Sequence, residues 1–114
     1  MPLLGFGSYK IKSVEPIETA IVEVGYRHID TASLYENETE VGQAVANAIA
    51  KNAVTREELF ITSKIWHTQY EDPEAALRES LAKLNMDYVD MYLIHWPLNY
   101  LGGDYKVPMH VLWP

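Results

Sequence analysis

Leu59-Phe60-Ile61-Thr62-Ser63-Lys64 is a short run of apolar and β-branched residues that ends on a lysine. Its length and composition predict a strand over Leu59 to Ser63, with Lys64 at the exit. Downstream, Asp72-Pro73-Glu74 sets an aspartate at a cap position and a proline at the first helical position. Leu77, Leu81 and Leu84 supply that helix with an inner stripe, and Tyr88 to His95 then predicts another strand. Upstream, Thr55-Arg56-Glu57-Glu58 predicts a short capped turn. Before it, Asn37 with Glu40 three residues on has the form of a capping box, followed by an apolar face of Val41, Ala44, Val45 and Ala48. Tyr26 to Thr31 predicts a second strand. Ser13 predicts the cap of the first helix, with Glu15 and Pro16 in its first turn and Ile17, Ala20, Ile21 and Val24 inward. Gly25 stands where a helix end favours glycine. Leu3 to Lys10, broken by Gly5 and Gly7, predicts a first strand that something approaches closely.

The order is βαβαβαβ with short connections, which calls for parallel strands and right-handed crossovers. An open doubly wound sheet and part of a (β/α)-barrel both satisfy it. The 114 residues carry no internal repeat, low-complexity segment or linker, so residues 1–114 read as one domain.

A net charge of −7 argues against a nucleic-acid footprint, which needs a clustered basic face, and no nucleic-acid partner is expected. With no cysteine, disulfides, thiolate metal sites and a thiol nucleophile are ruled out, and no metal site is assigned. Met1-Pro2-Leu3-Leu4-Gly5 lacks the pattern of a secretory signal. No apolar run approaches the ~20 residues that span a bilayer. A cytoplasmic setting without a membrane partner is therefore the expectation.

Ligand chemistry in parallel α/β folds gathers at the carboxyl ends of the strands. The second strand ends on Asp30, the third on Lys64 and the fourth on His95, and Tyr35 follows five residues after Asp30. A charged residue at a strand exit is common in itself, because the chain is returning to solvent. Three consecutive exits with Asp, Lys and His, plus a nearby Tyr, point instead to convergence on one rim. A phenol with pKa near ~10 is a poor acid at neutral pH, and a lysine ammonium in hydrogen-bond reach favours the phenolate. A carboxylate would hold that ammonium, and a histidine could orient a carbonyl oxygen. Such a cluster delivers a proton but supplies no hydride, so a hydride-donating cofactor is implied.

Gly25-Tyr26-Arg27-His28-Ile29-Asp30-Thr31-Ala32, then Tyr35, Asn37-Glu38 and Val41-Gly42, resembles the long first signature of the aldo-keto reductases. Leu59 to Trp66 and Tyr88 to Pro97 are similar to that family's lysine and histidine strands, and Pro2 to Lys10 to its first barrel strand. The resemblance implies the (β/α)₈ TIM barrel, of which this chain supplies roughly the first half. It implies NADPH-dependent reduction of an aldehyde or ketone, a small-molecule carbonyl substrate. It makes Tyr35 the general acid, Lys64 the cation assisting it, Asp30 the partner of Lys64, and His95 the residue that orients the carbonyl. Tyr9, Trp66 and Trp96 would wall the substrate alongside His95, and Ser8, Tyr9 and Asp30 would lie on the cofactor side. His28 is expected to be a packed, hydrogen-bonded interior residue; His67 and His110 carry no role.

A complete barrel runs to ~250 residues, so the chain is expected to be incomplete and its isolated monomer weakly active. Four strands cut from a barrel leave two edges open to self-association. The competing reading is a non-catalytic half-barrel acting as an interaction module. An open-sheet nucleotide-binding protein is disfavoured, since Gly5-Phe6-Gly7-Ser8-Tyr9-Lys10 lacks the third glycine of the phosphate-binding turn.

Overall fold

The structure, a computed structural model, describes residues 1–97. The polar stretch Asn99 to Asp104, the segment Val107 to Trp113 and His110 lie outside the described residues. Four strands, β1 (Phe6–Gly7), β2 (His28–Asp30), β3 (Phe60–Ile65) and β4 (Met91–Ile94), form one parallel sheet in that order. Between them run α1 (Val14–Thr19), α2 (Glu38–Ala50) and α3 (Pro73–Leu84). This is the expected alternation.

Register fixes which side chains share a face. Phe6 pairs with Ile29, Ile29 with Ile61, and Thr62 with Met91. Strand alternation then turns Ile29, Ile61, Ser63 and Ile65 toward the helices, and Asp30, Thr62 and Lys64 toward the opposite face. Ile29 and Ile61 of that helix-facing set join Ile17, Ile21, Val41, Val45, Leu59 and Leu84 in the main core. Full burial of an aliphatic side chain of this size contributes about 1.5–3 kcal/mol. Ile65, Tyr70 and Ala76 form a smaller cluster with Tyr92 packed on it.

The strands are shorter than their sequence signals, most of all β1. Leu3 and Leu4 are exposed and outside the sheet. The close approach lies just before the strand, at Gly5, where a Cβ would stand 3.1 Å from His28 Nδ1; at Gly7, where the strand ends, a Cβ would meet no described atom within 4 Å.

Helix phase departs from expectation in two places. α1 widens at its end into a π-helical turn, Ala20–Val24, closed by Gly25 at φ 88°. Ile17, Ala20 and Ile21 are buried as expected, but Val24 is 66% exposed. The wider turn shifts the phase of the last residues and carries Val24 off the inner stripe. In α3 the buried line is Ala76, Ser80 and Leu84, while Leu77 and Leu81 are half-buried. Small residues at the contact line let that helix pack closely, and the larger leucines flank it.

Capping divides the same way. Asp72 Oδ1 accepts from the Ala75 amide at 2.9 Å, with Pro73 opening α3 as expected. Glu58 Oε2 likewise accepts from the Thr55 amide at 2.8 Å. Ser13 and Asn37 occupy N-cap positions but make no side-chain cap bond. The reason is clear for Asn37, whose side chain is buried and spent elsewhere. Its Nδ2 donates to the carbonyls of Ser8 (2.7 Å) and Ile11 (2.9 Å), and its Oδ1 accepts from Thr31 Oγ1 (2.9 Å). It ties the loop after β1 to the loop after β2.

Candidate active site

The site lies where β2, β3 and β4 end. Lys64, near the end of β3, points to the inner face, and its side chain is 13% exposed. An ammonium has three protons to give. Lys64 gives them to Asp30 Oδ1 at 2.7 Å, the Thr31 carbonyl at 2.9 Å and Tyr35 Oη at 3.2 Å. Every donor is committed, and two go to residues of the expected set. The ammonium also lies 4.8 Å from the centre of the Tyr35 ring.

Tyr35 sits in a single 3₁₀ turn, Ser33–Tyr35, that ends in the left-handed conformation at Glu36 (φ 52°). Lys12 Nζ donates to the Tyr35 carbonyl at 2.6 Å and the Glu36 carbonyl at 3.4 Å. Ser33 Oγ donates to Gln69 Oε1 at 2.9 Å, and the same oxygen accepts from the Trp66 amide at 3.1 Å. Gln69 thus links the turn carrying Tyr35 to the loop carrying Trp66.

His95 follows β4, its amide donating to the Ile65 carbonyl at 3.1 Å. Its ring stands edge-on to Tyr35 (5.5 Å between centres) and to Trp66 (5.2 Å). Burial, reinforced by the Lys64 charge and opposed by Asp30, lowers its pKa below the ordinary 6.5. The imidazole is therefore neutral at pH 7. Its Nδ1 is buried without a hydrogen-bond partner among the described residues.

Tyr9, Trp66 and Trp96 stand around this group. Tyr9 lies 5.0 Å from the Tyr35 ring, and Trp66 lies 4.9 Å from Trp96. The Tyr70 hydroxyl donates to the Trp96 carbonyl and holds that residue. Ser8 is adjacent but fully buried, and its hydroxyl donates to the Asp30 carbonyl at 2.9 Å. It fixes the backbone that presents Asp30. His28 is half-buried rather than fully interior, and is bonded to Thr62 Oγ1 at 2.9 Å. Among the described residues no cluster of His, Asp or Glu is arranged to hold a metal ion, and no helix is long and apolar enough to cross a membrane.

Sequence reasoning missed Lys12, Gln69 and the Thr31 carbonyl, and it read Asn37 as a cap. A polar Asn37 two residues past Tyr35 was a signal of an interior tie. Lys12 and Gln69 act on backbone and turn geometry, for which no residue pattern exists.

The described residues thus form a parallel α/β unit with Tyr35, Lys64, Asp30 and His95 gathered at its carboxyl rim. The chain belongs to the aldo/keto reductase family, whose model it matches over residues 5–103. It is 48% identical over 114 residues to aldo-keto reductase family 1 member A1 of Rattus norvegicus, covering 95% of this chain and 35% of that protein. To family 1 member C18 of the same organism it is 47% identical over 117 residues, covering 95% and 36%. To aldehyde reductase YPR1 of Saccharomyces cerevisiae it is 48% identical over 100 residues, covering 86% and 31%. The chain spans about a third of the length of these relatives.

Proposed function

We propose that this chain carries the proton-delivery half of a carbonyl reductase that converts aldehydes or ketones to alcohols with NADPH. One observation carries the reading: the Lys64 ammonium joins the Asp30 carboxylate to the Tyr35 phenol. Tyr35 is the general acid, giving its phenolic proton to the carbonyl oxygen as that oxygen becomes an alkoxide. Lys64 donates to the same phenol oxygen and stabilises the negative charge left on it. Asp30 holds the ammonium in place. His95, neutral at pH 7, donates a ring N–H to the substrate oxygen and fixes its direction.

Tyr9, Trp66 and Trp96 form the apolar wall beside the reacting carbonyl. The donor set offers protons and, with no cysteine in the chain, no thiol reductant, which fits a bound nicotinamide. When bound, NADPH supplies the hydride to the carbonyl carbon. Tyr9 and Asp30 lie on its side of the site, and Ser8 contributes by holding the Asp30 backbone. A cytoplasmic setting goes with this reading and is checked by fractionating cells that express a tagged chain.

The partner expectation goes forward as a second reading, in which the half-barrel is an interaction module closed by another chain. It is favoured by β1 and β4 standing at the two edges of the described sheet, with Leu93 41% and Ile94 42% exposed. Aldehyde-dependent NADPH consumption, followed alongside size in solution, tests both. The leading reading expects turnover that depends on Tyr35, in this chain or in a longer gene product containing it. Assembly without any Tyr35-dependent turnover in either overturns it and leaves the interaction module.

A further inference from the structure

α2 begins at Glu38, three residues past Tyr35, and the first carboxylate of the helix does not face water. Glu38 is 2% exposed, and its Oε1 accepts from Ser63 Oγ at 2.6 Å. Ser63 is itself fully buried and immediately precedes Lys64. Alternation along β3 turns Ser63 toward the helices and Lys64 toward the site. One buried hydrogen bond therefore joins the segment leaving Tyr35 to the strand carrying Lys64, on the side away from the chemistry.

Packing does not explain a carboxylate there. Among the described residues Glu38 is in no close ion pair, its charge reaching Lys83 only at longer range while Lys83 pairs with Glu79, and an apolar side chain would fill the α2–β3 contact with less desolvation. What the carboxylate adds is direction, because a short hydrogen bond to a carboxylate fixes distance and angle where apolar contact permits sliding. Lys12 and Gln69 hold the Tyr35 turn from its other sides, and neither lies on β3. The Glu38–Ser63 bond sets how far that turn stands from the strand.

We infer that Glu38 is a positioning residue, acting through Ser63 to set the separation of Lys64 and Tyr35. Its consequence for catalysis rests on the proposed function; its geometry does not, and the two are tested separately. With Lys64 Nζ 4.8 Å from the Tyr35 ring centre, the Lys64 ε-methylene protons experience that ring's current. The difference between their NMR shift in the parent chain and in Tyr35→Leu calibrates the contact. Glu38→Ala and Ser63→Ala are expected to lose most of that difference. Glu38→Gln keeps an acceptor oxygen for Ser63 and is expected to retain it.

Ser80→Ala serves as the packing control, since that buried α3 hydroxyl faces Tyr92 and makes no hydrogen bond to Glu38 or Ser63 among the described residues. It is expected to alter the melting temperature and leave the Lys64 shift unchanged. Survival of the ring-current difference in Ser63→Ala overturns the inference. So does its loss in Glu38→Gln as fully as in Glu38→Ala, or in Ser80→Ala. Should Glu38→Ala fail to fold, Ser63→Ala and Glu38→Gln decide the matter. Absence of turnover both in the parent chain and in a longer gene product containing it sinks the functional reading and leaves the NMR result standing. In an active parent, Ser63→Ala should lower kcat about tenfold or more with cofactor affinity unchanged. An unchanged kcat there removes Glu38 from the positioning role.

Discussion

Lys64 gives all its protons to three acceptors, so its loss reaches beyond one contact. Lys64→Met leaves the Asp30 carboxylate without its cation and the Thr31 carbonyl without its donor. Unpaired groups of this kind cost about 1–3 kcal/mol each when buried, less where water reaches them, as it does at the one-third-exposed Asp30. A urea melt of that variant should show a lower midpoint with the slope unchanged. Tyr35→Phe keeps the ring and removes only the acid. Turnover should fall roughly 10²–10⁴-fold while the melting temperature stays near that of the parent.

His95 carries a pH signature. Its folded-state pKa lies below the ordinary 6.5, so folding favours the neutral ring. The stabilisation that goes with the neutral form is complete above about pH 6.5 and is lost as pH falls through the lowered value. Urea midpoints taken from about pH 7 to pH 5 should fall less steeply for His95→Asn than for the parent. An equal slope would show that His95 does not govern this range.

Asp30, Lys64 and His95 were legible because each ends an apolar run, and a charge at a strand exit stands out by residue type. Tyr35 was legible mainly through the motif around it. The Thr31 carbonyl and the Lys12 tie were not legible, since one is backbone and the other reaches across 23 residues to a turn.

Helices and their crossings add a second tier of predictions. Gly42 allows α2 to approach the end of α3 so closely that a Cβ would stand 2.2 Å from the Leu84 carbonyl oxygen. That atom is backbone and cannot swing away. Gly42→Ala should force the two helices apart, at a cost of about 1–3 kcal/mol or more, read as a loss of urea midpoint. Asp72→Ala removes a working cap and should cost about 1 kcal/mol. Asn37→Ala should cost more than an ordinary cap, because two buried hydrogen bonds and one part-buried one disappear with it. Element order and type were readable from periodicity, and the α3 start was readable from Asp72-Pro73. The π-helical turn was not, since an extra residue in one turn leaves the apolar spacing up to Ile21 intact and displaces only Val24.

At the scale of the molecule, the proposed closure by another chain turns on the edges of the described sheet. β1 and β4 each pair on one side only within the described sheet, and Leu93 and Ile94 add apolar surface beside one of them. Light scattering on the chain should report mass rising with concentration, and Ile94→Lys should reduce that rise.

The strand order β1-β2-β3-β4 has a further consequence, for how the chain comes to be folded. Each strand pairs with the one made just before it, about thirty residues back. No strand in this sheet waits for a distant partner, so loop closure is short at every step. A ribosome releasing the chain can let β2 dock on β1, then β3 on β2, while the rest is still being made. Asp30 and Tyr35 emerge first, Lys64 then arrives to join them, and His95 comes last.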